Sequence, residues 1–212
     1  MSEPVPVPGL PPMTFDEFLE WELAQEERYE FIDGVVYAMA GGSMPHNRVA
    51  LNVAAQLWNA AGDGPCGVYQ EGAKLRISGD LFYPDVMVVC EPDGEDERMA
   101  YRPCLLVEVL SPSSTRHDRV RKLAKYQTLS SLRAYLIVSQ QYRHVERHWR
   151  ESADAPWQRE ELTAADGSVP VPCPVEGVLP FALIYRGTTV PERPPLRRVR
   201  EEPAEAFAPG TA

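Results

Sequence analysis

The sequence predicts an α/β domain built on a mixed β-sheet. Residues 83–90 (YPDVMVVC) and 105–110 (LLVEVL) are apolar runs of strand length, which suit central strands covered on both faces. A basic helical segment over residues 118–129 follows the second run, and residues 134–139 (AYLIVS) form a third apolar run. A strand, helix, strand succession of this kind normally closes a right-handed crossover between parallel neighbours.

Length and composition are those of an ordinary globular protein. The chain has 212 residues, of which 44% are hydrophobic and 25% charged, which is enough for one domain with a substantial core. We expect a Pro-rich lead over residues 1–13, one domain over 14–190 and a poorly ordered tail over 191–212. Neither a secretory leader nor an apolar run of membrane-spanning length is found, so a cytoplasmic location with no membrane partner is the default expectation.

The charge of the chain argues against a generic polyanion binder. The formal net charge is −10, whereas proteins that bind nucleic acids usually show a basic footprint. The charge is uneven, however, because acids crowd residues 16–30 and 91–97 while basic residues cluster over 116–125. A local basic surface is therefore compatible with the sequence.

The first part of the chain predicts two helices, a hairpin and a strand. Thr14 to Glu17 match a capping box that opens a helix through about residue 25. Asp33-Gly34 between two apolar runs is the strongest short signal for a hairpin. A second helix is expected from residue 45 or 46 to 61, and a strand over 68–77. The expected buried helix positions are Phe15, Phe18, Leu19 and Leu23 in the first helix and Val49, Leu51, Val53, Leu57 and Trp58 in the second.

The remaining connections complete the predicted sheet. Residues 91–102 form an acidic surface loop between the two central strands. Residues 144–150 and 157–162 have the pattern of an antiparallel pair, and the aliphatic stretch 178–185 is a last packed element.

The four cysteines show no pattern of their own. Cys66, Cys90, Cys104 and Cys173 include no CxxC pair and no regular spacing, so the sequence indicates neither a structural zinc site nor a disulfide framework. Cys90 and Cys104 adjoin the two central strands, where packed reduced thiols are expected.

Two acids interrupt the central apolar strands. Asp85 follows Pro84 at the entrance of the first strand, and Glu108 lies in the middle of the second. An ionised carboxylate there costs several kcal/mol of desolvation unless a cation, a proton or hydrogen-bond donors compensate it. Strands that pair through the intervening loop could bring both acids to one cation, and carboxylates with water and phosphate suit Mg²⁺. The alternative is a pair of acids buried against Arg or Lys for structure alone.

The helix after the second strand carries a polar stripe. Asp118, Lys122 and Tyr126 are spaced by four and lie along one side of that helix. Lys122 could reach back over the strand ends toward a reacting phosphate. The alternative, which periodicity alone favours, is an ordinary ion pair with Asp118 worth about 0.3–0.5 kcal/mol.

Four further residues could support such a site. Glu30 and Glu71 could each add a metal ligand, although a solvated acid at a strand end is the simpler interpretation of each. His46, at the start of the second helix, could contact a phosphate or only cap the helix. Ser111 opens a run of hydroxyl residues near the same strand end, and such residues are more often loop and cap residues.

The combination of segments is more specific than any one of them. Together they resemble the Uma-two family of bacterial endonucleases, which are similar to restriction endonucleases of the PD-(D/E)XK type. The segments are YEFIDG at 29–34, His46, YPDVMVV at 83–89, LLVEVLSPSS at 105–114, the D…K…Y stripe at 118, 122 and 126, and AYLIVS at 134–139.

The resemblance implies a restriction-endonuclease-like fold and Mg²⁺-dependent cleavage of DNA. By position, Asp85 is the PD aspartate and Glu108 the second acid, while Glu30 is the acid of the YE motif and supports the metal. The usual lysine would follow two residues after Glu108, where this chain has Leu110. The resemblance places that lysine on the next helix instead. Lys122 is the first candidate for this lysine, and Lys125 and Lys74 are the next candidates.

These inferences combine into one hypothesis. Asp85, Glu108 and the carbonyl of Val109 hold Mg²⁺, with Mn²⁺ as the alternative ion, and Lys122 orients or helps to deprotonate the attacking water. Cutting both strands of a duplex with one centre per chain predicts a homodimer, with residues 144–162 as the expected interface. The alternative, favoured by the acidic net charge and by Leu110, is a catalytically inactive nuclease fold that serves as a structural or protein-interaction module.

Overall fold

The computed structural model describes residues 5–39, 41–91, 98–110 and 116–194, with the side chains of residues 5 and 116–118 left out. Ser111 and most of the predicted tail therefore lie outside the described residues. The helices are α1 (Phe15–Glu22), α2 (Met44–Ala61), α3 (Arg116–Tyr126) and α4 (Phe181–Ile184), with a 3₁₀ turn at Ala164–Asp166. The strands are β1 (Val5–Pro6), β2 (Tyr29–Ile32), β3 (Val35–Ala38), β4 (Gly67–Gln70), β5 (Lys74–Ile77), β6 (Asp80–Phe82), β7 (Val86–Val89), β8 (Met99–Ala100), β9 (Leu105–Leu110), β10 (Ala134–Ser139), β11 (His144–Trp149), β12 (Gln158–Thr163), β13 (Ser168–Val171) and β14 (Gly177–Pro180).

The central sheet has the order β12-β11-β10-β9-β7-β4. Strands β9 and β10 are parallel and joined through α3, and the other neighbours are antiparallel. Side chains alternate along β9, so that Val107 and Val109 pack toward α2 while Leu106 packs with Tyr126 of α3 on the opposite face. The predicted α/β fold with a mixed sheet and a parallel crossover is thus confirmed.

A second sheet, of order β1-β3-β2-β6-β5-β8, carries α1 on it. The predicted capping box of α1 is present, with Thr14 and Glu17 bonded to each other's backbone N–H groups. The hairpin of β2 and β3 turns at Asp33 and Gly34, which have φ of 52° and 78°. These left-handed conformations are what a type I′ turn requires.

The predicted strand over 68–77 is wrong as a single element. It divides into β4, which belongs to the central sheet, and β5, which belongs to the second sheet. Glu71 and Gly72 lie between them with φ of 41° and 86°. Two consecutive left-handed residues turn the chain and send it to the other sheet.

The buried faces of the helices differ from expectation at three positions. Leu51 is 50% exposed and Trp58 is 64% exposed, because both lie on the side of α2 that faces away from the central sheet. Leu23 is 75% exposed, since α1 ends at Glu22. Helix α3 also begins and ends earlier than the predicted range of 118–129.

The cysteines do not remain separate thiols. The structure joins Cys66 to Cys90 and Cys104 to Cys173 as disulfides. Sequence spacing gave no sign of this because the partners come from elements that meet only in the folded sheet. Among the described residues, no helix combines the length and the apolar character needed to cross a bilayer.

Candidate active site

Strand pairing places the two acids of the central strands opposite each other. Val86 of β7 pairs with Val107 of β9 in an antiparallel register, so one step back along β7 brings Asp85 opposite Glu108. The Cβ atoms of such a pair are typically about 4.5–5.5 Å apart. Both acids lie almost wholly out of contact with solvent.

Asp85 is held by the backbone of β9 and by a histidine from α2. Its Oδ2 accepts the N–H of Val109 at 2.7 Å, and its Oδ1 lies 3.2 Å from Nε2 of His46. The other ring nitrogen of His46, Nδ1, lies 2.9 Å from the carbonyl oxygen of Val109. Helix α2 begins beside this point, where Ser43 accepts the N–H of His46.

The geometry fixes the tautomer of His46. A carbonyl oxygen only accepts, so Nδ1 of His46 carries a hydrogen and donates it to Val109. Nε2 therefore presents either a second hydrogen or a lone pair to Asp85. Burial of His46 opposes its charged form, but the hydrogen bond and charge of Asp85 outweigh burial and raise the pKa of the imidazole.

Glu108 receives two donors from α3. Its Oε1 accepts the hydroxyl of Tyr126 at 2.8 Å and lies 3.3 Å from Nζ of Lys122. Burial raises the pKa of the Glu108 carboxyl to about 8, and Lys122 opposes this shift. The neighbouring charges of Asp85 and Glu30 contribute to the same upward shift.

Lys122 is buried between two carboxylates. Its Nζ donates to Oε1 of Glu30 at 2.8 Å as well as lying beside Glu108. Glu30 also accepts the N–H of Tyr83 at 3.2 Å. The alternative of a solvated ion pair does not describe this lysine, which is 6% exposed. The side chain of Asp118 lies outside the described residues.

An open cleft of about 400 Å³ reaches this site from one side. Asp85 and His46 line it, together with Tyr83 and Glu71. Glu71 stands next to Asp85, because its N–H donates to the carbonyl of Asp85 at 3.2 Å. Glu108 is not among the lining residues. The cleft therefore gives a ligand access to the Asp85 side of the acid pair.

Lys125 and Lys74, the other lysines considered for the catalytic role, pair with acids other than Glu108. Lys125 contacts Asp33 at 2.5 Å and Asp80 at 2.7 Å, at the hairpin turns of the second sheet. Lys74 lies 2.6 Å from Glu22.

Sequence reasoning missed a buried group beside the cleft. Glu22 is 6% exposed and accepts hydrogen bonds from Lys74 and from the hydroxyl of Tyr83. The amphipathic pattern of α1 gave no signal for a buried acid at its last residue. Tyr83 contacts both buried acids, because its hydroxyl donates to Glu22 and its backbone N–H donates to Glu30.

The donor set fits a hard divalent cation. Glu30 and Glu108 share Lys122, and Asp85 lies beside His46, so the buried group combines three carboxyl groups with one lysine and one histidine. Within the described part of the chain, no three acid or imidazole donor atoms at this site lie within 4.8 Å of one another. A cation would thus take few protein ligands here and keep bound water, which is the habit of Mg²⁺.

Comparison with known proteins gives three kinds of match. A family model, Uma2, described as "Putative restriction endonuclease", matches residues 15–179. Two proteins of Synechocystis sp. (strain ATCC 27184 / PCC 6803 / Kazusa) are similar: "Uncharacterized protein slr1290", 38% identical over 65% of this chain and 73% of the relative, and "Uncharacterized protein sll1609", 33% identical over 74% and 91%.

The fold also resembles a solved structure. That structure is described as a "putative nuclease belonging to DUF820 from Anabaena variabilis ATCC 29413". The TM-score is 0.68, with 17% sequence identity over 82% of this chain and 98% of that one. At this identity the likeness establishes the fold, which is that of a restriction-endonuclease-like protein.

Proposed function

Because this chain belongs to the Uma2 family, we propose that it is a divalent-cation-dependent nuclease that hydrolyses phosphodiester bonds in DNA. The observation that carries the proposal is the opposition of Asp85 and Glu108 across β7 and β9, with Lys122 beside Glu108. Acids on neighbouring strands with a lysine against one of them supply both a cation site and a fixed positive charge. Phosphodiester hydrolysis uses both.

The cation site consists of Asp85, Glu108 and the carbonyl of Val109, with Glu30 in support. Mg²⁺, or Mn²⁺ in its place, would polarise a phosphoryl oxygen and lower the pKa of a bound water. The backbone N–H of Val109 fixes Oδ2 of Asp85, and Oδ1, which a cation would share with His46, lies 3.2 Å from Nε2 of that histidine. Glu108 is fixed by Tyr126. Both acids are therefore held in place before a substrate arrives.

Lys122 supplies the charge that the fold more often places on the strand. Position 110 is Leu110 in this chain, but α3 brings the ammonium of Lys122 to 3.3 Å from Glu108. Glu30 holds the same ammonium at 2.8 Å. An ammonium group kept in this position by two acids can orient the attacking water and stabilise charge that develops on the phosphate.

His46 acts as a positioning residue. It contacts both Asp85 and the carbonyl of Val109, two of the three proposed ligand groups. A histidine that orients ligands in this way typically supports metal affinity. Glu71 lines the cleft next to Asp85 and is a further candidate ligand for a cation bound there.

A second candidate function rests on the charge of the cleft. Among the described residues, its lining includes Glu26, Glu27, Glu71 and Asp85, against Arg28 and His46 as basic side chains. Lys122 also already compensates Glu30 and Glu108. These features favour an inactive nuclease fold that serves in protein interaction, because phosphate backbones are repelled by such a lining unless cations bind.

One experiment separates the two candidates. Purified protein is incubated with supercoiled and linear DNA in Mg²⁺, in Mn²⁺ or in chelator, beside an Asp85→Ala variant and an Asp63→Ala control. Asp63 is an exposed acid in the turn after α2. Cleavage that requires the cation and Asp85 but not Asp63 supports the nuclease. Equal cleavage by all three proteins would indicate a contaminant, and no cleavage under any condition favours the interaction module.

We also propose a homodimer. A single centre per chain cuts one strand, so cutting both strands calls for two centres, and two-fold dimers are the commonest soluble oligomers. Strands β11 and β12 lie at one edge of the central sheet, at its end away from β7, and are the proposed interface.

A further inference from the structure

All four cysteines of the chain meet at one place. They come from four separate segments, and the two disulfides lie side by side. The Sγ atoms of Cys90 and Cys104, which belong to different disulfides, are 3.4 Å apart. The four sulfur atoms therefore form one continuous cluster, which we call the cysteine cluster: Cys66, Cys90, Cys104 and Cys173.

Strand register explains the convergence. Gly67 of β4 pairs with Val89 of β7, so Cys66 lies opposite Cys90 just beyond the pairing. Cys104 directly precedes β9, and its N–H donates to the carbonyl of Val88 at 2.8 Å. Cys173 arrives from the segment between β13 and β14.

The cysteine cluster is separate from the acid site. Cys90 follows the last residue of β7 and Asp85 precedes the first. At roughly 3.3 Å per residue, a strand of this length places them about 16 Å apart. No residue is shared between the two sites.

The chemistry of the cluster is that of a thiolate metal site. Three of its sulfurs, those of Cys90, Cys104 and Cys173, lie within 4.8 Å of one another, the one group of its kind among the described residues. With Zn–S bonds of about 2.3 Å, a tetrahedral Zn²⁺ site separates its sulfurs by roughly 3.8 Å. The contact of 3.4 Å between Cys90 and Cys104 is close to that separation.

The surroundings suit such a site. Cys173 is buried and the other three cysteines are partly buried, and all four pack against the apolar core of the central sheet. They lie at strand ends and in a short connection, where the fold fixes their backbones. Soft thiolate ligands in this setting select Zn²⁺ over hard cations such as Mg²⁺.

We propose that the reduced chain binds one Zn²⁺ through these four cysteines and that the two disulfides are the oxidised form of the same site. A dithiol reduces each disulfide to two thiols by giving two electrons and two protons, and itself becomes a disulfide. A phosphine gives two electrons and becomes a phosphine oxide, while one water supplies the oxygen of the oxide and the two protons of the thiols. Zn²⁺ then binds the four sulfurs as thiolates and displaces four protons. The metal replaces the disulfides as the link between β4, β7, β9 and the β13–β14 hairpin.

The test measures bound metal in the full chain purified under a phosphine reductant. Mass spectrometry of the metals is expected to find one Zn²⁺ per chain in the wild type and in Asp85→Ala, and at least a tenfold loss in Cys104→Ser. Asp85→Ala is the matched control, because it removes a ligand of the acid site only. Iron in place of zinc, or loss of the zinc in Asp85→Ala, would overturn the proposal.

A second measurement does not depend on a cysteine variant that might not fold. Co²⁺ added to reduced, metal-free wild type is expected to give the sulfur-to-cobalt charge-transfer band and the visible bands of a tetrahedral thiolate site. One equivalent of Zn²⁺ should abolish both. Two outcomes would overturn the proposal and leave the cysteines as disulfide partners only. In the first, the reduced protein has four titratable thiols and binds neither ion. In the second, the disulfides resist reduction in the folded chain.

Discussion

The ammonium of Lys122 lies 3.3 Å from a carboxylate oxygen of Glu108, and both side chains are buried. The two residues belong to α3 and β9, which follow each other along the chain. A third group, Glu30 from the other sheet, holds the same ammonium. Lys122 therefore contacts one acid from each of the two sheets.

Replacing Lys122 by Met is expected to lower turnover by at least about 100-fold, because it removes a fixed charge that acts on the transition state. The substitution also leaves two buried acids without their cation, at a cost of up to about 3–5 kcal/mol in the free energy of unfolding. Turnover at saturating DNA and chemical denaturation measure the two effects. Lys122→Arg, which keeps the charge, should recover most of the stability.

Lys125→Met is the matched control for Lys122→Met. Lys125 is on the same helix and also pairs with two acids, Asp33 and Asp80, but it is partly exposed. Asp33 is exposed, and Asp80, although buried, keeps the N–H of Asp33 as a donor, so a loss of about 1–2 kcal/mol, smaller than that of Lys122→Met, is expected with cleavage retained. Loss of activity in Lys125→Met with full activity in folded Lys122→Met would contradict the assignment of Lys122.

The raised pKa of Glu108 predicts how the free energy of unfolding of the metal-free protein depends on pH. Burial raises its pKa in the folded state to about 8, well above the usual value near 4.3 in an unfolded chain. The folded state therefore binds one more proton than the unfolded state between these values. The stabilisation is present below the unfolded pKa and is lost as the pH rises through the folded pKa.

Thermal unfolding in chelator between pH 5 and 9 tests this dependence. The wild type should lose stability toward pH 8, and Glu108→Gln should remove that contribution because glutamine does not titrate. Asp63→Asn is the control and should keep the wild-type slope. A Glu108→Gln profile parallel to that of the wild type would mean that Glu108 is already ionised in the folded protein.

His46→Ala is expected to weaken Mn²⁺ binding by about 10–100-fold, as loss of a residue that orients ligands typically does. His46 contacts both Asp85 and the carbonyl of Val109, so neither would be held as firmly without it. Calorimetry with Mn²⁺ measures the affinity directly. Cleavage should recover at high Mn²⁺ concentration, which separates a positioning role from a direct role in the reaction.

His144→Ala is the control for His46→Ala. His144 pairs with Glu161 on the β11–β12 strands, away from the acid pair. Its loss should leave Mn²⁺ affinity unchanged. An affinity equally reduced in both variants would point to a general loss of folding instead.

The proposed homodimer predicts the mass of the protein in solution. Solution scattering at micromolar concentration should give twice the mass of the chain, with or without DNA. Edge strands that carry charges usually resist pairing, and β12 exposes Arg159 and Glu161. If β12 forms the interface, reversing the charge of Arg159 should shift the protein toward monomer. A monomeric wild type would remove the proposed dimer.

The sequence by itself determined the elements whose signal is local. The apolar runs of β9 and β10 and the intervening helix predicted the parallel crossover, because strand length and helical periodicity are local signals and a strand, helix, strand succession normally closes in this way. The turn at Asp33-Gly34 predicted the hairpin for the same reason. The buried positions of Asp85 and Glu108 also followed from the apolar residues around them.

Only the tertiary structure decided which side chains meet. The sequence pattern suggested Asp118, whose side chain lies outside the described residues, as a partner of Lys122. The packing of α3 on β9 is what buries the lysine beside Glu30 and Glu108. The split of residues 68–77 between two sheets depended on left-handed backbone at Glu71, which no pattern in the sequence indicated. The cysteines converge for a related reason: strand register sets the distance between residues far apart in the chain, and spacing along the sequence does not.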